Sequence, residues 1–188
     1  MRKLFIVAFL FWACVNLTAQ EHLSFKGIPI QGSMVEFCQN LKAKGLKQIG
    51  YEEKVALFTG DFTGRDATIA VTASDDGKNV YGVVVIFGSS EEWNTLVDTY
   101  DYYKDLYTRK YGKPTKSKEN NPAYDDSNIS LMYELWQGKV VWASAWKVTG
   151  GDIELSIEKS GTNNGMVMIR YRDAQNVEAK IQRDLEDI

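Results

Sequence analysis

The stretch Gly88–Pro114, GSSEEWNTLVDTYDYYKDLYTRKYGKP, has the pattern of a complete capped helix. Ser89 and Glu92 have the spacing of a capping box, in which each side chain satisfies a backbone N–H at the helix start. Gly112 and Pro114 supply the stop. The side chains that share one helical face are mostly aromatic: Trp93, Leu96, Val97, Tyr100, Tyr103, Tyr107 and Tyr111. The stretch predicts a helix over about 90–111 whose aromatic stripe belongs to the core.

The same arrangement occurs earlier, in GIPIQGSMVEFCQNLKAKG, Gly27–Gly45. Ser33 and Glu36 again have capping-box spacing, and Gly45 supplies a left-handed stop. The apolar side chains recur at helical spacing: Met34, Phe37, Cys38 and Leu41. We expect a helix over 33–44, with Cys38 packed as a small buried hydrophobic side chain.

Each helix is followed by runs of β-type sequence separated by turn residues, of which Asp76-Gly77 is the strongest hairpin signal. Further turns are predicted at Gln137-Gly138, Gly150-Gly151 and Asn163-Asn164-Gly165. A polar stretch over 113–128 predicts a loop. The closing segment, with Val177, Ile181 and Leu185 spaced by four, predicts a C-terminal helix. The expected strands are 47–52, 54–60, 66–73 and 79–87, then 129–136, 139–148, 152–159 and 165–172.

These elements predict an α+β fold. Two tandem halves, about 23–88 and 89–188, each contain one helix and four strands. Together they form antiparallel sheet with the helices on one face, because a sheet must bury one face against another layer. The C-terminal helix completes the domain.

The first 19 residues have the layout of a secretory signal peptide. A basic start, Arg2 and Lys3, precedes an apolar run of 12 residues that is too short to span a bilayer. Cleavage after Ala19 or Gln20 leaves a single domain, 20–188, and predicts export to the periplasm or the medium. Lipidation at Cys14 is the disfavoured alternative, because the bulky residues before it do not match the small-residue pattern that lipidation needs.

The charge of the exported chain excludes one class of partner. Loss of Arg2 and Lys3 leaves 20 basic and 25 acidic side chains, a net charge of −5. Non-specific nucleic-acid binding needs a basic surface, so we expect no nucleic-acid partner. No later apolar run is long enough to span a membrane.

Few residues are suited to catalysis or metal binding. Cys38 is the single cysteine of the exported chain, which therefore has no internal disulfide. The single histidine, His22, is expected at a frayed terminus. We expect no metal and no cofactor, since His/Cys clusters and Gly-rich phosphate loops do not occur. Five carboxylates could pair for glycoside hydrolysis, the alternative that we disfavour: Asp125, Asp126, Glu134, Glu154 and Glu158.

Three segments resemble small exported Bacteroidales proteins of unknown function: LSFKGIPIQGSMVEFCQNLKAKG, KYGKP and VMIRYRD. The tandem layout is similar to the fold group of the β-lactamase inhibitor protein. That resemblance implies protein recognition through the concave open face of the sheet. The chain departs from that inhibitor by lacking a disulfide in each half.

Alternation in the second half predicts which side chains share a sheet face. Met166, Met168 and Arg170 alternate with an apolar set and are expected on the open face. Two interpretations of Trp142 and Trp146 remain. They lie in the core under the long helix with Ala143 and Ala145 outward, or they join Trp136 on the open face. Strand register decides, because a one-residue slip exchanges the faces.

Our leading hypothesis is an exported, non-enzymatic binding protein that recognises another envelope or extracellular protein. Trp, Met and Arg are enriched at protein interfaces, so the binding residues would be Trp136, Trp142, Trp146, Met166, Met168 and Arg170. A carbohydrate-binding module using exposed aromatics, or a structural factor of the envelope, is the alternative. Burial of both Trp142 and Trp146 would remove the main support for an open-face site.

Overall fold

The structure is a computed structural model that describes residues 21–52, 54–120, 128–186 and 188. Within these residues the chain forms four helices and ten strands. The helices are α1 (Met34–Ala43), α2 (Trp93–Tyr111), α3 (Asn128–Trp136) and α4 (Ala174–Glu186). The strands are β1 (Ser24–Phe25), β2 (Ile28–Pro29), β3 (Lys47–Glu52), β4 (Val55–Phe62), β5 (Arg65–Ala73), β6 (Val80–Phe87), β7 (Lys116–Asn120), β8 (Val141–Val148), β9 (Gly151–Lys159) and β10 (Gly165–Asp173).

Eight of the described strands form one antiparallel sheet in the order β3-β4-β5-β6-β10-β9-β8-β7. The strands β3 to β6 therefore run in chain order on one side of the sheet centre, and β7 to β10 run on the other. β6 and β10 pair at the centre, with Ile169 opposite Val85. β1 and β2 form a separate hairpin near the start of the described chain. The prediction of an α+β fold with a large antiparallel sheet is confirmed.

One hydrophobic core fills the space between the sheet and the helices α1, α2 and α3, whereas α4 contributes no buried residue to it. We call the sheet face that packs against α1 and α2 the helix-side face, and the opposite one the open face. The helix-side face is built from alternate, fully buried strand residues, including Phe58, Ile69, Val83, Leu155 and Ile169. Strand pleating places such residues on one side at every second position, so a continuous apolar surface results.

Of the two predicted capped helices, the first has the predicted caps and the second begins later than predicted. α1 is confirmed: the Ser33 side chain accepts a hydrogen bond from the Glu36 N–H at 3.3 Å, and Gly45 has φ +87°. α2 begins at Trp93 rather than near residue 90, so the capping box assigned to Ser89 is wrong. Ser90 accepts from the Glu92 N–H at 3.0 Å instead.

The predicted strand over 129–136 is wrong, because Asn128–Trp136 is the helix α3. The segment ISLMYELW satisfies both a two-residue and a helical periodicity. In the helix, Leu131 and Leu135, four residues apart, are both buried. Gly138, with φ +72°, donates its N–H to the Leu135 carbonyl at 3.0 Å and ends the helix. The pair Gln137-Gly138 is thus a helix stop and not the predicted turn between two strands.

The predicted loop over 113–128 is wrong in its first part, since Lys116–Asn120 is the edge strand β7. Lysine-rich sequence lowers strand propensity but is common on sheet edges, which explains why composition alone missed it. The predicted signal peptide and the carboxylates Asp125 and Asp126 lie outside the described residues. The C-terminal helix is confirmed as α4.

Candidate functional site

The register of β8 decides the position of two predicted site residues. Trp142 and Trp146 lie opposite Ile157 and Ile153 of β9, on the helix-side face. Trp146 is 1 % exposed and its Nε1–H donates to the Gly112 carbonyl at 3.0 Å. The interpretation of these tryptophans as core is therefore confirmed.

The six predicted site residues do not form one surface. Trp142 packs edge-on against Trp93 of α2, with the ring centroids 5.4 Å apart. Only Met166, Met168 and Arg170 lie on the open face, as their pairing with Glu158, Ser156 and Glu154 shows. Grouping the tryptophans with them is wrong, because β8 turns its alanines outward and its tryptophans toward α2.

Arg170 is held by its own chain. Its Nη1 donates to Ser156 Oγ at 3.0 Å, and its Nη2 donates to Glu158 Oε2 at 2.7 Å. Glu154 lies 3.4 Å away and also pairs with Arg172, so a cross-strand network of alternating charges covers this part of the open face. The guanidinium donors face carboxylates of the protein itself, which leaves them poorly placed to bind a partner's carboxylate.

The same network sets the protonation of its carboxylates. Burial acts to raise the pKa of Glu158, but the hydrogen bonds from Arg170 and Ser156 and the Arg170 charge lower it below its usual value. A glycosidase general acid needs the opposite shift, toward neutral pH. The geometry around Glu158 therefore favours a structural role.

Trp136, the remaining predicted residue, ends α3 and is 40 % exposed. Its ring lies 5.9 Å from that of Tyr133, with the two planes inclined by 43°. A flat sugar ring stacks best on coplanar aromatics, so this pair does not form the platform that a glycan site would need.

A deep cleft on the helix side of the sheet was not predicted. It has a volume of about 870 Å³ and lies between the 21–27 segment and the second half of α2. Its floor comes from the ends of β4, β8 and β10. Its lining includes three lysines and five aromatic side chains: Lys26, Lys110, Lys147, Phe62, Tyr103, Tyr107, Tyr111 and Tyr171.

Aromatic rings form most of the apolar wall of this cleft. Tyr107 lies at the centre, with its ring centroid 5.9 Å from that of Tyr111 and 6.3 Å from that of Tyr171. Phe62 packs at 5.9 Å from Tyr103. Helical spacing explains the arrangement, because residues four apart, such as 103, 107 and 111, project from the same side of α2.

The phenol hydroxyls are occupied within the protein. The Tyr103 hydroxyl donates to the Phe62 carbonyl at 3.1 Å, and Tyr107 and Tyr171 share a short hydrogen bond. Burial raises the pKa of Tyr103, Tyr107 and Tyr171, so all three are neutral phenols near pH 7. These hydroxyls are therefore poor bases. Tyr103 is fully buried and supports the wall from behind, so a ligand would meet the edges of the other aromatic rings that reach the cleft.

Three lysines from different elements surround the cleft: Lys26, Lys110 and Lys147. Over the described part of the chain, none of them forms an ion pair with a carboxylate. Lys26 Nζ donates to the Asp61 carbonyl at 3.1 Å, and Lys110 Nζ lies 4.9 Å from the centre of the Tyr111 ring. The rim thus carries positive charge that the protein itself leaves unpaired.

The 21–27 segment, which forms the wall of the cleft opposite α2, is held in place by the buried carboxylate of Asp173. Asp173 is fully buried and accepts hydrogen bonds from the Leu23 N–H at 2.9 Å and the Asn176 N–H at 3.0 Å. Its Oδ2 also lies 3.0 Å from His22 Nδ1. The expectation that His22 lies in a frayed end is wrong, because Asp173 holds it against the junction of β10 and α4.

Gly150 allows the 21–27 segment to lie close against the end of β8. Gly150 has φ +82°, and a Cβ there would lie 2.4 Å from the Glu21 carbonyl oxygen and 2.5 Å from the Leu23 nitrogen. The sequence identified Gly150-Gly151 as a turn. It gave no sign that a segment more than 120 residues earlier in the chain passes over it.

We expect Asp173→Ala to destabilise the protein by about 2–3 kcal/mol, because the buried Leu23 N–H and the partly buried Asn176 N–H both lose their acceptor. Chemical denaturation measures the free energy of unfolding. Asp184→Ala, on the exposed side of α4, is the matched control and should change it by less than about 0.5 kcal/mol. Equal losses in the two variants would show that Asp173 does not anchor the 21–27 segment.

Neither a protein family, nor a curated protein, nor a solved structure matches this chain. No helix among the described residues is long and apolar enough to cross a membrane. Within the same residues, no group of three or more His, Cys, Asp or Glu side chains is arranged to hold a metal ion.

Proposed function

We propose that this chain is an exported, non-enzymatic binding protein. Its ligand is a small molecule with an aromatic or aliphatic body and a carboxylate. The observation that carries the proposal is the cleft between α2 and the 21–27 segment, where five aromatic side chains meet three unpaired lysines. An apolar body would lie against the rings and the anionic group would face the rim.

The size and the lining of the cleft support a small-molecule ligand. Its volume of about 870 Å³ falls in the range of about 300–1,000 Å³ that is usual for small-molecule sites. Such sites combine a mostly apolar wall with a few polar groups that orient the ligand. Here the hydroxyls of Tyr103, Tyr107 and Tyr171 are committed to internal hydrogen bonds, so these three side chains add little polarity to the wall.

The charge of the rim supports an anionic head group. Glu21 is the one acidic side chain among the described residues that line the cleft, against three lysines. The exported chain as a whole is acidic. A local positive rim on an acidic protein concentrates anions there and repels them elsewhere, and this favours binding in one orientation.

The tandem layout is part of the same proposal. The strand order, with each set of four strands running outward from the β6–β10 pair, supports two halves that each place one helix before four strands, with α3 inserted between β7 and β8 in the second half. In this description the cleft lies between the start of the first half and the helix of the second. Export through a signal peptide would place the site in the periplasm or the medium.

Binding of dodecanoate, measured by isothermal titration calorimetry, tests the proposal directly. We expect saturable binding to one site, and weaker binding of the neutral analogue dodecanol. Lys110→Glu/Lys147→Glu should weaken dodecanoate binding by about tenfold or more, because two rim charges change sign. The loss should shrink at high salt, since the rim is exposed to solvent.

Lys44→Glu, on the exposed end of α1, is the matched control with a charge change far from the cleft. It should leave dodecanoate binding unchanged. Equal affinity for dodecanoate and dodecanol would contradict the anionic head group. No binding of either would contradict the cleft as a ligand site.

Recognition of another protein through the open face stays a second prediction. The observation in its favour is the outward position of Ala143 and Ala145 beside the exposed Val141, which together leave a small-residue surface next to the charge network. Met166→Glu would place a charge on this face without touching the cleft. Capture of a specific envelope protein by the wild type, and its loss in Met166→Glu, would favour this function.

A further inference from the structure

β3 forms one edge of the sheet and has an unusual surface for an edge strand. One of its flanks is hydrogen-bonded to β4, and no described strand pairs with the other. None of its six residues is buried, and it carries two large hydrophobic side chains in solvent. Ile49 is 54 % exposed and Tyr51 is 56 % exposed. Unpaired backbone groups beside exposed apolar side chains are a template for another strand.

The opposite edge of the sheet is different. β7 has the sequence KSKEN, and Lys116 and Lys118 lie on the same face because they are two residues apart. Two adjacent lysines on an edge repel a second copy of themselves, which is a common protection against edge pairing. The two edges of the eight-stranded sheet therefore differ, and of these two β3 is the edge without a pair of like charges on one face.

β3 carries a positive charge at one end and a negative charge at the other, so two copies related by a two-fold axis would bring opposite charges together. Its sequence, KQIGYE, begins with Lys47 and ends with Glu52. When two copies of the strand pair antiparallel about their middle, Lys47 of each lies opposite Glu52 of the other. Residues directly opposite in an antiparallel pair must point to the same sheet face.

In a regular strand, Lys47 and Glu52 would point to opposite faces, because they are five residues apart. The register of β3 against β4 shifts between Gln48 and Gly50, where Ile49 is the extra residue of a bulge. On the two sides of this bulge, Lys47 lies opposite Thr59 and Glu52 lies opposite Val55.

Thr59 and Val55 are four residues apart on one strand and share a face, so the bulge brings Lys47 and Glu52 to the same face. Gln48 and Tyr51 share the other face by the same argument, opposite Phe58 and Ala56. In a pair of β3 strands, Lys47 would therefore lie opposite Glu52 on one face, and Gln48 would lie opposite Tyr51 on the other.

We infer that two copies of this chain associate through β3, antiparallel and about a two-fold axis, with Lys47 opposite Glu52 at each end. A two-fold interface uses the same patch on both copies, as this strand allows. Pairing would satisfy the free backbone groups and remove part of Ile49 and Tyr51 from water. The interface is one short strand on each side, so the dimer is reversible and depends on concentration.

Charge exchange in sedimentation equilibrium tests the inference. Lys47→Glu and Glu52→Lys should each weaken self-association about tenfold or more, because each turns two attractive cross-strand pairs into two repulsive ones. The double variant K47E/E52K should recover association, since both pairs are attractive again. An equimolar mixture of the two single variants should form a heterodimer, although neither associates alone.

Circular dichroism and thermal melting show that each variant is folded, and the exposed position of both residues favours this outcome. A wild type that stays monomeric at millimolar concentration would overturn the inference. So would single variants that associate like the wild type, or a mixture that does not associate. The cleft lies on other elements, so calorimetry with dodecanoate should give the same affinity in all these variants.

Discussion

Trp146→Ala should cost about 3–5 kcal/mol of unfolding free energy, the range for truncating a large aromatic side chain in a packed core. Trp146 is fully buried under α2, with its ring 5.5 Å from that of Tyr107. Truncation would leave a cavity beside the cleft wall. For a chain of this size the thermal midpoint should fall by about 10 °C or more.

Trp146→Phe and Trp142→Phe form a matched pair for the hydrogen bond. Trp146 Nε1–H donates to the Gly112 carbonyl, whereas Trp142 Nε1, also buried, has no hydrogen-bond partner within the described residues. The first substitution removes a bond and the second removes an unsatisfied donor. We expect Trp146→Phe to be the more destabilising by about 1 kcal/mol or more, measured by chemical denaturation. The reverse order would show that Trp146 is not the anchor of α2.

High pH should cause a second large loss of unfolding free energy, because four buried tyrosines have raised pKa values. Burial is the main cause at Tyr100, Tyr103, Tyr107 and Tyr171. The unfolded chain releases these protons near pH 10, while the folded chain keeps them to higher pH. Their contribution to stability is therefore complete below about pH 10 and is lost as the pH rises through the folded values.

Between its unfolded and folded pKa values, each such tyrosine lowers the unfolding free energy by about 1.4 kcal/mol per pH unit, so the slope approaches about 5 kcal/mol per unit where all four are in that range. Tyrosinate absorbance at 295 nm and circular dichroism followed together measure this coupling. Replacing the Tyr107–Tyr171 pair by two phenylalanines removes two of the four protons and should reduce the slope by about half. A double variant whose alkaline transition matches that of the wild type would contradict the assignment.

Much of the fold was predictable because its signals are local. Ser33 and Gly45 bracket α1, and the aromatic spacing of 93–111 follows one helical face, so both helices were found within a few residues. Seven strands were also found close to their observed bounds. The error at 129–136 has a physical reason, since its alternating apolar residues fit either periodicity and only packing of Leu131 and Leu135 selects the helix.

The candidate site was less predictable. The tyrosines at 103, 107 and 111 were visible as a helical stripe, but their spacing is the same for a core and for a cleft wall. The rest of the cleft comes from residues 21–27 and from strand ends more than 30 residues away on either side of α2. No pattern in one sequence records such long-range approaches. A signal could have come from His22 and the glycine pair 150–151, which both proved to be contacts of this wall.

By itself the sequence determined the class of the fold, the capped helix α1, the aromatic helix α2 and most of the strands, because capping, periodicity and turn chemistry act over a few residues. The tertiary structure alone decided which face of β8 carries Trp142 and Trp146, where the lysine-rimmed cleft lies, and that β3 is an exposed edge. Those features depend on strand register and strand order. They are set by packing between segments that are distant in the chain, and a shift of one residue in the register of β8 would exchange its two faces.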